Sequence, residues 1–189
     1  MSTYGTAVAI DVAPDGRLDS TLAALHDWSA WARPLGDTGW ARITLSSSGI
    51  ERLGDVRHLL TTAGKACAAV AEDNDEHGAL WVVLAARPGA LRVVHRRYIL
   101  NADPHDAKEV ARQVAQFGED PRRRDVAGPA AARAAAEMFG VDPGPVVSAE
   151  ASSDRLHHSI GVVGGPFPWW DALGLTWPGP GAGVPIPPV

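Results

Sequence analysis

Two apolar runs near the middle of the chain constrain it most: residues 80–86 (LWVVLAA) and 91–100 (LRVVHRRYIL), separated only by Arg87-Pro88-Gly89-Ala90. Runs rich in β-branched and aromatic residues, joined by a short Pro-Gly segment, predict a hairpin. A connection this short cannot carry the crossover that parallel neighbours need, so a wholly parallel sheet is excluded.

Flanking segments extend the pattern. Residues 6–12 (TAVAIDV) predict a strand, and Pro14-Asp15-Gly16 a turn. Residues 18–33 predict a helix carrying Leu18, Leu22 and Leu25, continued by Trp28 or Ala32 and ended by Pro34 and Gly36. Residues 40–45 (WARITL) alternate apolar and polar, as a half-buried strand does. Over residues 53–71, Leu53, Val56, Leu60, Ala63, Cys67 and Val70 recur at helical spacing and predict the longest helix. A polar loop over 73–78 follows. Beyond the hairpin, Asp103 and Pro104 can open a helix with Ala107, Val110, Ala111, Val114 and Phe117 on its apolar face and Gly118 as its stop. Pro129 opens an alanine-rich helix that runs to Gly140. The expectation is an α+β fold of order β-α-β-α-β-β-α-α, a mixed or antiparallel sheet of about four strands with helices on one face.

The 189 residues suit one domain, and 46% hydrophobic with 21% charged residues excludes wholesale disorder. Residues 1–147 form the expected domain, and 148–189 an irregular Pro/Gly/Trp-rich arm. The arm holds seven of the 15 prolines and only four charged residues: Glu150, Asp154, Arg155 and Asp171. Phe167, Trp169, Trp170 and Trp177 put large apolar area into it, so it is expected to dock on the body or on a partner.

A net charge of −5 excludes a global basic field, so nucleic acid is the least favoured partner. Cys67 is the sole cysteine, which precludes an internal disulfide. The first residues do not resemble a signal peptide, and no window is apolar enough to span a membrane; a cytoplasmic protein without membrane contact is expected.

No motif commits the chain to a chemistry. Asp73-x-Asp75-x-His77-Gly78 resembles the start of a calcium loop, but the position that should supply a bidentate Glu is Leu84. Cys67 falls on the apolar stripe, where a thiol is inert. His157-His158 lacks any further ligand at metal spacing, and His26, His58, His77, His95 and His105 are scattered. Ser46-Ser47-Ser48-Gly49 lacks the first glycine of a nucleophile elbow, and residues 161–165 (GVVGG) lack the ending of a phosphate loop. No cofactor, metal or catalytic residue is assigned. Two basic clusters, His95-Arg96-Arg97 and Arg122-Arg123-Arg124, suit an acidic protein or peptide; on a strand only one of Arg96 and Arg97 faces a given ligand. Trp28 and Trp31 would be adjacent on a helix surface, in a core or at an interface.

Two functional expectations follow. The first is a non-enzymatic protein-interaction module (adaptor, inhibitor, immunity-type or chaperone-like), using Trp169, Trp170, Trp177, Phe167, Trp28, Trp31 and Arg97 as contacts. The second is a small enzyme with a site assembled from His95, Arg97, His157 and His158. Self-association through the arm is compatible with either.

Overall fold

The computed structural model describes residues 5–16, 18, 27–74, 78–103, 105–118, 124–153, 156–157 and 167–187. Its centre is β1 (Gly5–Val12), in which every residue from Thr6 to Val12 is buried. β1 pairs antiparallel with β3 (Ala41–Ser47) on one side and β4 (Ala66–Asn74) on the other. Outward from β3 lie β2 (Ser29–Pro34) and β8 (Val184–Ile186); outward from β4 lie β5 (Gly78–Arg87), β6 (Ala90–Asn101) and β7 (Leu156–His157). Among the described residues the sheet therefore has eight strands in the order β7-β6-β5-β4-β1-β3-β2-β8, all antiparallel except the two-residue β7.

Alternation along each strand divides the sheet into two faces. Val8, Ile10, Val12, Ala68, Val70, Val82 and Leu84 meet α1 (Leu53–Ala63), Leu18 and Trp28. Ala7, Ala9, Ala69, Ala71, Ala79 and Trp81 meet α3 (Pro129–Phe139), α4 (Pro143–Ser152) and α5 (Phe167–Ala172). Alanines on the second face leave room for three buried indoles, Trp81, Trp169 and Trp170. The class is α+β, as expected, but the strands are about twice as many, the order differs, and helices cover both faces rather than one.

Four local expectations are corrected. Residues 29–34 form strand β2 between β3 and β8, with Trp31 opposite Thr44, so Trp28 and Trp31 do not share a helix surface; residues 19–26 of the expected helix lie outside the described residues. The long helix stops at Ala63, where Gly64 adopts φ 76°, and Cys67 and Val70 belong to β4. A continuous run of small apolar residues has no distinguishing period, and burial on both faces makes a strand of it. Asp73 and Asn74 extend β4 rather than forming a loop, and residues 75–77 lie outside the described set. The helix after the hairpin, α2 (Ala107–Gln113), is capped by Asp106 instead of Asp103: its side chain accepts from Glu109 N–H at 3.0 Å. Of its expected apolar face, Ala107, Ala111 and Val114 are exposed and Val110 is half-buried, while Gln113 is buried; the side chain of Phe117 lies outside the described set.

The hairpin and the alanine-rich helix form where expected. The expected division after residue 147 falls inside α4. Gly78, at φ 130°, opens β5 where a β-carbon would collide with the Ile99 carbonyl, so only glycine allows β5 and β6 to approach there. No helix among the described residues is long and apolar enough to cross a membrane.

Candidate functional site

A register shift between Val83 and Leu84 inserts an extra residue, Val94, into β6. Beyond it His95 sits opposite Val83 and Arg97 opposite Trp81, which aims both at the three-helix face. There His95, fully buried, lies between Trp81 and Glu150 of α4. Trp81 Nε1–H donates to His95 Nδ1 at 2.8 Å, and His95 Nε2 is 2.9 Å from Glu150 Oε2. An indole nitrogen only donates, so His95 carries its proton on Nε2 and donates to the carboxylate. Glu150 Oε1 accepts from Gly128 N–H at 2.6 Å, where α3 begins. Arg97 Nη1 lies 3.9 Å from both Glu150 and Asp125, and Nη2 donates to the Ser153 carbonyl at 3.0 Å.

Burial holds the His95 pKa below its ordinary 6.5, against the pull of Glu150. Protonation would also set a second N–H against the Trp81 indole. For Glu150, burial acts to raise the pKa, but the Gly128 N–H, His95 and the Arg97 charge together hold it below the usual carboxylate value. Both depressed values act in the same direction: stability is full above the ordinary histidine pKa and is lost as pH falls through the two folded-state values. Urea midpoints should therefore decline from about pH 6.5 downward. In His95→Gln, whose amide can still bridge Trp81 and Glu150, the decline should begin only in the carboxylate range. An unchanged pH profile in that variant would show that His95 does not titrate as described.

A second buried polar pair lies on the same face. Arg42 donates from Nε and Nη2 to the Asp11 carboxylate at 2.6 and 2.8 Å, and its guanidinium sits 5.5 Å from the Phe139 ring centre. Beside it, burial pushes the Cys67 thiol up to about 12, with the Asp11 charge adding and Arg42 opposing. Cys67 Sγ lies 3.5 Å from the Met138 carbonyl. Cys67 is thus a protonated core thiol, though on a strand rather than a helix. Among the described residues no three His, Cys, Asp or Glu side chains converge as a metal site.

Between this pair and the hairpin turn lies an open pocket of about 650 Å³. Cys67 and Ala85, on the three-helix face, line it together with the adjoining Ala66 and Ala86 of β4 and β5, and Trp40, Pro88, Ala90 and Met138 complete its uncharged lining. Lys65, Arg87 and Arg92 are exposed around it, and none of its described lining residues is acidic.

The residues expected from sequence are dispersed. Trp169 and Trp170 are buried in their own chain; Trp169 stacks on Trp81 at 5.9 Å, and Trp170 meets Trp177 edge-on at 5.1 Å. Trp177 is 43% exposed. Trp28 is buried against α1, and Trp31 is half-buried on β2. The side chains of Phe167 and His157, together with His26, His77, His158, Arg122, Arg123 and residues 161–165, lie outside the described set. Arg97 joins the His95–Glu150 network at its half-buried margin. Sequence reasoning missed Glu150, Asp11, Arg42 and the whole pocket. A lone acid among alanines on α4, and lone charges within apolar strands, were the available signals for the first three.

Compared with protein-family models, curated proteins and solved structures, the chain matches none.

Proposed function

We propose that this protein is a non-enzymatic protein-binding module whose contact site is the pocket at the β5–β6 turn. One observation carries the reading: an accessible, mainly apolar concavity whose three charged residues among the described lining are all cations, on a chain of net charge −5. An apolar centre ringed by polar side chains is the anatomy of a protein interface, in which Trp and Arg are the favoured anchors. The side chains best suited to acid/base or thiol chemistry, His95, Glu150 and Cys67, are meanwhile engaged in buried contacts. On this reading the contact lies at Trp40, Lys65, Arg87 and Arg92, while Trp169 and Trp170 hold the fold together.

The test is cross-linked capture from the native host with three proteins: wild type, Ala85→Phe, which crowds the pocket, and Val114→Lys, a surface control away from it. A specific protein recovered with wild type and the control, but reduced more than about tenfold with Ala85→Phe, is the expected result. Equal recovery with Ala85→Phe, in a variant whose circular dichroism is native, would sink the proposal.

A further inference from the structure

The pocket's chemistry specifies its occupant more narrowly, if it is the partner site as proposed above. We infer that it takes one large apolar side chain from a partner segment that carries carboxylates on both sides of that residue.

No acid stands among the pocket's described lining residues, and the Asp11 carboxylate beside Cys67 is already paired with Arg42. Ala66, Cys67, Ala85 and Ala86 are small, and the thiol is protonated. A charged group seated there would lose its hydration without a buried partner to replace it. An apolar side chain seated there is favoured in proportion to the apolar area it removes from water. Trp40 offers that side chain a ring to lie against.

The rim selects the flanks. Lys65 precedes β4, Arg87 ends β5, and Arg92 lies on β6 opposite Ala85, so the three cations come from three separate strands or their ends around the pocket. They are exposed, so each keeps its hydration and acts by attraction at close range rather than as a buried ligand. The volume lies within the range of small-ligand sites, about 300–1,000 Å³. However, such sites converge polar groups inward, whereas these cations stand outside the apolar centre. That arrangement suits a chain passing over the pocket better than a molecule sealed within it.

The two parts separate kinetically: rim charge governs association rate and its salt dependence, while apolar contacts govern dissociation. The test uses three short fluorescein-labelled peptides, followed by anisotropy and stopped flow. The first has a central phenylalanine with two glutamates on each side; the second has glutamines in their place; the third has serine at the centre. The first should bind about tenfold or more tightly than either other, and its association should slow as salt is raised. Arg87→Glu with Arg92→Glu should slow its association about tenfold with little change in dissociation. Equal binding of the glutamine peptide, equal binding of the serine peptide, or no saturable binding of any peptide would each overturn the inference. If the cellular partner is still lost with Ala85→Phe in those cases, the inferred chemistry of the occupant fails while the pocket remains the contact site.

Discussion

Trp169→Ala should destabilise the protein by about 3–5 kcal/mol in urea unfolding, the range for deleting a large buried aromatic side chain. Trp169 has no exposed surface and lies against the Trp81 ring with the two planes only 9° apart. It also contacts His95, with ring centres 5.9 Å apart. Helix α5 has only six residues, too few to be stable alone, so its position depends on what its indoles bury. Removing one opens a cavity between α4, α5 and the sheet. The comparison is Trp177→Ala: that ring is 43% exposed and touches Trp170 edge-on, so about 1 kcal/mol is expected. If Trp169→Ala cost no more than Trp177→Ala, the C-terminal tryptophans would be surface groups and a role as anchors for another chain would regain its force.

The second large effect concerns Asp11 and Arg42. Asp11→Ala should cost about 3–5 kcal/mol, because it leaves a guanidinium buried without its carboxylate. Asp11 and Arg42 are 4% and 6% exposed, face each other across β1 and β3, and make two short hydrogen bonds. Arg42 also reaches the Gly174 carbonyl at 3.3 Å, which ties the C-terminal segment to the sheet. Arg42→Met alone should be similarly harmful, since it strands the acid. The double variant Asp11→Leu/Arg42→Met should recover most of the loss, as apolar replacements of buried ion pairs often do. The double-mutant cycle reads the coupling directly. Purely additive losses would show that the two charges do not depend on each other.

How much of this could be seen in the sequence varied with the element. The hairpin was plain because Pro88-Gly89 separates two β-rich runs, and β1 and β3 followed from short apolar strands bounded by turn residues. Helix α3 was plain because Pro129 opens it and Gly140, at φ 66°, closes it. Residues 66–71 gave the opposite result. Their alanines favour helix by propensity, yet they lie between β1 and β5 as a central strand. Residues 29–34 likewise took their conformation from pairing with β3 and β8. In both segments hydrogen bonds to distant strands outweighed local preference, which is worth only tenths of a kcal/mol per residue, on the order of 0.7 at most for ordinary residues.

The sites show the same division. His95 and Arg97 were visible as polar residues on a strand, but Glu150 lies 55 positions beyond His95 and meets it only because α4 crosses that face. The bulge at Val94 decides which way His95 points, and nothing local to residues 91–100 announces it. The pocket needs Trp40, Lys65, Arg87, Arg92 and Met138 brought together from five different segments. By itself the sequence determined the class, the hairpin, the helix from Pro129, and the large apolar content of the C-terminal segment, because each rests on periodicity or turn chemistry within a few residues. The tertiary structure alone decided that this segment's tryptophans fill the core, that the lone strand charges pair across β1 and β3, and where an open cationic pocket lies. Each of those depends on contacts between residues far apart in the chain, and such contacts leave no local periodicity to read.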